Sequence, residues 1–249
     1  MNRPRDLQSE HTAQAISRRL ARGPAPSVLR DLVYGAIDGT VTTFAVVAGV
    51  IGAGLRPTII LILGVANLAA DGFSMAASNF LATRAERQRR ARTLHDEERQ
   101  IAVIPEGERE EIRQIYRGKG FSGEDLERAV EIITSDRQRW IDTMLIEEHG
   151  YGSAGPAPLR AGLATFGAFV IVGSIPLLSF IYAWVFPEAL PSAFRWSSAL
   201  TGVAFFVVGA LKSRVVDQRW WRSGAETLAV GGIAAAAAYG LGSLLGGIS

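Results

Sequence analysis

The chain has 249 residues, with 26 Lys and Arg against 24 Asp and Glu, no cysteine and 48% hydrophobic residues. A net charge of +2 excludes a strongly basic nucleic-acid binder, and the absent cysteines exclude a disulfide scaffold, a zinc finger, an iron–sulfur cluster and a catalytic thiol. These totals hide a segregation, because residues 84–150 alone hold 13 Lys/Arg and 16 Asp/Glu.

Residues 1–30 carry Arg3, Arg5, Arg18, Arg19, Arg22 and Arg30 but no apolar run. They do not read as a signal peptide. They read as a basic amphipathic segment lying on a membrane surface. Next come long stretches nearly free of charge: about Leu32–Leu55 with only Asp38, and about Thr58–Thr83 with only Asp71. Three more follow the charged region, at about Leu159–Phe186, Arg195–Val216 and Ala225–Ile248. Roughly 20 apolar residues are needed to cross about 30 Å of hydrocarbon, so each stretch is predicted to span a membrane. The expected fold is an all-α membrane protein of five transmembrane helices, with a cytoplasmic three-helix insert between helices 2 and 3. Its organisation is residues 1–30, helices 1 and 2 in 31–83, the glutamate-rich insert in 84–150, and helices 3–5 in 151–249.

Orientation follows from the basic residues. The N-terminal arginines, the cluster from Arg84 to Arg92, and Lys212, Arg214, Arg219 and Arg222 all fall on one side of five spans. The positive-inside rule places that side, with the N-terminus and the insert, in the cytoplasm and the C-terminus outside. With no targeting segment in a short chain, a bacterial inner membrane is the expected location.

The insert reads as helical throughout. No glycine or proline separates the second span from Arg84–Gln100, so one helix is expected to run on through both. Pro105 suits the first turn of a second helix that Gly118 and Gly120 end. Ser122 is the N-cap candidate for a third helix of about 26 residues reaching Gly150. Such charge often means only a solvated, ion-paired bundle. Yet Glu97, Glu98, Glu106, Glu108, Glu110 and Glu111 crowd one helix junction, and Met144 and Glu148 share a face four residues apart. Carboxylates with a thioether suit a divalent transition ion such as iron(II) or manganese(II). His149 is placed to assist, although a lone histidine is more often plain surface.

Ionisable groups inside a span are costly and mark functional candidates. Asp38 lies 18 residues before Arg56 and Met75 lies 19 after it, so an antiparallel hairpin brings them to about the same depth. Asn67, Asp71, Ser74, Met75 and Ser78 recur at helical spacing and form one polar stripe. Metal and protons compete for such carboxylates, which gives a means of release. Gly35-xxx-Gly39 and Gly242-xxx-Gly246 permit close helix approach, a weak sign of oligomerisation.

Four strings carry a resemblance. DLVYGAIDGTVTTFAVVAGVIGAGL, ANLAADGFSMAASNFLATRAE, IAVIPEGEREE and DTMLIEEHG occur in this order. They resemble the vacuolar iron transporter family over nearly the whole chain from Arg30. The resemblance implies a five-span homodimer, not an enzyme, that exports iron(II) from the cytosol in exchange for protons. Iron(II) would be substrate and bound ion, with manganese(II) or zinc(II) as further candidates and no organic cofactor. The implied partners are the bilayer, protons, divalent ions and a second copy, with no nucleic acid. Carried over by position, Asp38 and Met75 match the family's pathway ligands, and Glu97, Glu108, Glu111, Glu148 and Met144 match its cytoplasmic metal site. Asn67 and Asp71 complete the candidate pathway, and Glu98 and Gln100 the candidate metal site. Three positions depart from the plant-type pattern: Asn67 and Gln100 stand where glutamates are usual, and Leu145 replaces a second methionine. Asp71 and Glu98 are the carboxylates placed to compensate. The competing reading is a membrane-anchored iron buffer or sensor that transports nothing. A ferroxidase-like enzyme is disfavoured, because no Glu-x-x-His motif occurs.

Overall fold

A computed structural model describes residues 11–22, 27–152, 155–216 and 218–247, and all its regular structure is helical. In chain order the helices are α1 (Ala13–Arg22), α2 (Leu29–Gly52), α3 (Pro57–Val103), α4 (Pro105–Gly118), α5 (Gly123–Thr134), α6 (Arg137–Glu147), α7 (Pro158–Gly173), α8 (Leu178–Val185), α9 (Leu190–Val216) and α10 (Trp220–Gly246). Five stretches are long and apolar enough to cross a membrane: Leu29–Gly52, Pro57–Val103, Pro158–Val185, Pro187–Val216 and Trp220–Gly246. Many large apolar side chains stay exposed along them, including Ile62, Phe73, Ile171, Trp184, Val203 and Leu244. Such surface would be untenable in water over this length, and it identifies a multi-pass membrane protein. Of the basic N-terminal segment, Ala13–Arg22 is helical, whereas Arg3 and Arg5 lie outside the described residues.

The chain divides into two compact units, Met1–Pro26 with Arg84–Gly155, and Ser27–Thr83 with Pro156–Ser249. In the apolar unit α2 is central and packs on α7, α9 and α10. Phe44, Val47, Val50, Ile60, Leu68, Phe169, Leu177 and Phe205 form its main buried cluster. Glycines set the close approaches. A Cβ on Gly35 or Gly39 would stand 2.4 Å from the backbone oxygen of Thr165 or Phe169 on α7. One on Gly242 or Gly246 would stand 2.2 Å or 2.5 Å from the oxygen of Gly49 or Ala53. The small-residue pairs flagged in the sequence are therefore used to pack helices within one chain.

The third span is not one continuous α-helix. It is α7, a 3₁₀ turn at Ile175–Leu177, and α8. Pro176 lacks an amide hydrogen and cannot continue the ladder. Ser197 on α9 donates its hydroxyl to the Pro176 carbonyl at 2.7 Å, which satisfies a buried group where no water is at hand. Near the start of α2, the Asn79 side-chain amide donates to Thr165 Oγ1 at 2.7 Å, Asp31 Oδ1 at 3.0 Å and the Ala161 carbonyl at 3.3 Å. One side chain thus ties α2, α3 and α7 together.

In the charged unit, Ile101, Ile112, Leu126, Val130, Ile133, Trp140, Ile141, Met144 and Leu145 form the core. α3 runs on without a break from its apolar part to Val103, as expected where no helix breaker intervenes. The single helix expected over about 26 residues is instead two, α5 and α6. Asp136 is extended and its carboxylate accepts from the Arg139 amide at 2.8 Å, while Ser135 Oγ donates back to the Ile132 carbonyl at 2.9 Å. These short polar side chains end one helix and cap the next.

Candidate metal site and membrane pathway

The last turns of α3 place Leu94, Glu97 and Ile101 on one face. Leu94 and Ile101 join the core, and they carry Glu97 down with them to 2% exposure. Pro105 starts α4, whose beginning presents Glu108 and then Glu111. The N-terminal end of a helix tolerates carboxylates well, because its free amides and dipole face them. Ile112 is fully buried next to them, and Glu108 is only 1% exposed. From α6, Met144 is fully buried and Glu148 follows one turn later, with its amide bonded to the Met144 carbonyl at 3.0 Å. Gly150, at φ +69°, then reverses the chain so that the Tyr151 amide reaches the Leu145 carbonyl at 2.8 Å. A left-handed residue is needed there, and glycine supplies it without strain. The reversal holds His149 over the glutamates.

His149 Nε2 lies 2.8 Å from Glu97 Oε1 and 3.7 Å from Glu148 Oε2. One ligand atom from each of Glu97, Glu148 and His149 falls within 4.8 Å of the others. Glu97 Oε2 and both oxygens of Glu108 are buried without a hydrogen-bond partner. Three orphaned carboxylate oxygens in one place are expensive unless something cationic visits them. Burial, reinforced by the charges of Glu111, Glu97 and Glu148, pushes the Glu108 carboxyl up to about 7. Burial and then the Glu148 carboxylate also raise Glu111. The site is buried on the Glu97–Glu108 side and open on the other, where the Glu148 side chain is 40% and the His149 side chain 29% exposed. That geometry can take a divalent cation on oxygen and nitrogen donors and let it leave.

Of the residues singled out in the sequence, Glu97, Glu108, Glu111 and Glu148 come together here. Met144 lies behind them in the apolar core. Glu98 and Gln100 are half-buried on α3. The Glu98 carbonyl accepts from Arg137, and Gln100 lines a shallow cleft with Asp96, Arg99, Val103 and Ile104. His149 belongs to the cluster although its sequence context marked it only as a neighbour of Glu148. Its partner Glu97 is 52 positions away, a separation no spacing rule reads.

In the apolar unit, Asn67 Nδ2 donates to Thr42 Oγ1 at 3.2 Å and Thr43 Oγ1 at 3.3 Å, and Thr42 Oγ1 donates to the Asp38 carbonyl at 2.9 Å. Asn67 is thereby tied into the turn of α2 that carries Asp38. The Asn67–Thr42 and Asn79–Asp31 bonds fix the register of α2 against α3, putting Asp38 level with Asp71 and Gly72. Met75 lies level with Gly35, about one helical turn from the depth expected for it. The difference arises because the α2–α3 turn is not symmetric about Arg56: α2 ends at Gly52 and α3 begins at Pro57. Met75 is half-buried against the apolar core, while Asp71, Ser74 and Ser78 are exposed.

Comparison with known proteins identifies the family. A sequence model of the VIT family matches residues 29–243. A protein named vacuolar iron transporter from Toxoplasma gondii is 35% identical over 224 residues, covering 87% of this chain and 74% of the relative. Vacuolar iron transporter 1 of Arabidopsis thaliana is 32% identical over 218 residues, covering 86% and 85%. Vacuolar iron transporter 2 of Oryza sativa is 29% identical over 237 residues, covering 94% and 92%. The match runs through all five apolar helices and the glutamate cluster alike, and the chain belongs to the VIT family.

Proposed function

We propose that the protein is a proton-coupled divalent metal transporter that exports iron(II), and also manganese(II), from the cytoplasm. The carrying observation is the convergence of Glu97, Glu108, Glu111, Glu148 and His149 around three buried carboxylate oxygens that lack partners. In this reading residues 84–150 are a cytoplasmic domain that captures the ion, and Asp38, Asn67, Asp71 and Met75 line its way across the bilayer. Oxygen and thioether donors hold such ions loosely enough to release them. Protons taken up by the same carboxylates would drive that release. The N-terminus lies on the cytoplasmic side and the C-terminus on the other.

The working form is a homodimer. Asp71, Ser74 and Ser78 form a polar stripe exposed on one flank of α3, in a span whose other exposed residues include Phe73 and Leu81. A carboxylate left against lipid is costly. A second copy covering the stripe supports both the assembly and a pathway lined by the facing Asp71 residues.

Proteoliposomes holding a pH gradient test the function directly. Iron(II) or manganese(II) should move against the proton flow, and Asp38→Ala should stop it. Wild-type protein that moves no metal, or an Asp38→Ala variant that moves it equally well, refutes the transport reading. Metal binding by the full chain without movement would instead favour a membrane-anchored buffer.

A further inference from the structure

The geometry points to His149 as a direct nitrogen ligand of the ion held by Glu97, Glu108 and Glu148, which makes this an oxygen–nitrogen site and not a purely carboxylate one. The inference rests on the metal-capture reading above and deepens it. Bonds of about 2.1 Å to a first-row divalent ion put neighbouring ligand atoms roughly 3.0–3.4 Å apart in octahedral or tetrahedral shells. His149 Nε2 is 2.8 Å from Glu97 Oε1 and 3.7 Å from Glu148 Oε2, so the three atoms already stand at the edges of one coordination shell. A second, independent feature marks where the ion sits. Glu97 Oε2 and both Glu108 oxygens are buried without partners, and Glu97 and Glu108 are 2% and 1% exposed.

The backbone supports this placement. The His149 amide bonds the Met144 carbonyl at 3.3 Å, and the turn at Gly150 aims the ring back over the end of α6. The His149 ring also lies 6.3 Å from that of Tyr151, whose hydroxyl is anchored by Arg89 at 3.1 Å. The imidazole is therefore placed beside Glu97, 2.8 Å from its Oε1, before any ion arrives. Gln100 contributes no carboxylate, and His149 supplies a donor to the same ion from a different helix end. The chemical consequence is selectivity. An imidazole donor favours iron(II), cobalt(II) and zinc(II) over manganese(II), and magnesium and calcium gain nothing from it.

The test uses the full chain in detergent or nanodiscs, loaded with Mn2+ as a paramagnetic probe. Pulsed electron paramagnetic resonance should show a directly coordinated 14N nucleus in the wild type, and His149→Gln should abolish it while Mn2+ still binds. In competition titrations the same variant should lose about tenfold or more in Co2+ and Zn2+ affinity, with a smaller loss for Mn2+. Bound Mn2+ without nitrogen coupling, or coupling that persists in His149→Gln, overturns the assignment and leaves a carboxylate site standing. A wild-type protein that binds no Mn2+, Co2+ or Zn2+ overturns the capture reading itself, and this ligand with it. His149 is solvent-accessible at the end of α6, so its replacement leaves the core of the unit intact.

Discussion

Glu108→Gln separates the stability of the charged unit from its proposed metal binding. Glu108 is 1% exposed, neither of its oxygens has a hydrogen-bond partner, and burial with three neighbouring carboxylates raises it from 4.5 to about 7. The folded chain holds this proton more tightly than the unfolded chain. The resulting stability is fully present below about pH 4.5 and is lost as pH rises through 7. At pH 8 the ionised side chain costs the metal-free unit about 3 kcal/mol, counting 1.36 kcal/mol per pH decade. Glutamine keeps the shape and removes the charge. At pH 8 with a chelator present, hydrogen–deuterium exchange over residues 105–147 should therefore slow by about ten- to a hundredfold in the variant. The gap between variant and wild type should close by pH 4.5. Adding Mn2+ should protect the wild type strongly and the variant weakly, since a neutral amide is a poor substitute for a carboxylate. A variant that exchanges faster than wild type at pH 8, or that metal protects equally, would refute the assignment of Glu108 as a strained ligand.

Four further outcomes concern the apolar unit. Gly39→Ala places a Cβ 2.4 Å from the Phe169 backbone oxygen and should cost about 1–3 kcal/mol, seen as a lower melting temperature in detergent. Gly167→Ala, where nothing lies within 4 Å of the added methyl, should be neutral or stabilising. Asn79→Ala strips donors from Asp31 Oδ1, Thr165 Oγ1 and the Ala161 carbonyl, and should lower stability by about 1–3 kcal/mol in the same assay. Because the chain has no cysteine, Ser78→Cys gives a clean probe of the proposed dimer interface. Oxidation in native membranes should trap a disulfide-linked dimer, whereas Val203→Cys, exposed on α9, should stay monomeric.

The membrane-spanning architecture was legible in the sequence because the solvent change is written into composition: apolar runs nearly free of charge, interrupted by one dense block of charged residues. The continuation of α3 was legible for a similar reason, since no glycine or proline lies between Phe73 and Ile104. Local breaks were harder. The split at Ser135–Asp136 hinges on a side chain capping a backbone amide, an event that competes with helix continuation by only a kilocalorie or so. The turn at Pro176 needed Ser197, 21 residues away, to satisfy its carbonyl.

The sequence by itself determined which residue types were available for a metal: many glutamates, two methionines within the candidate regions and no thiolate. Tertiary structure decided which of them meet. It gathered Glu97, Glu108 and Glu148 from distant points of the chain and brought in His149. It also moved Met75 a turn away from Asp38 and put Asp71 in its place. Side-chain identity is fixed along one dimension, but a coordination shell is a property of distances between helices. Those are set by how α3, α4 and α6 bury their apolar faces against each other.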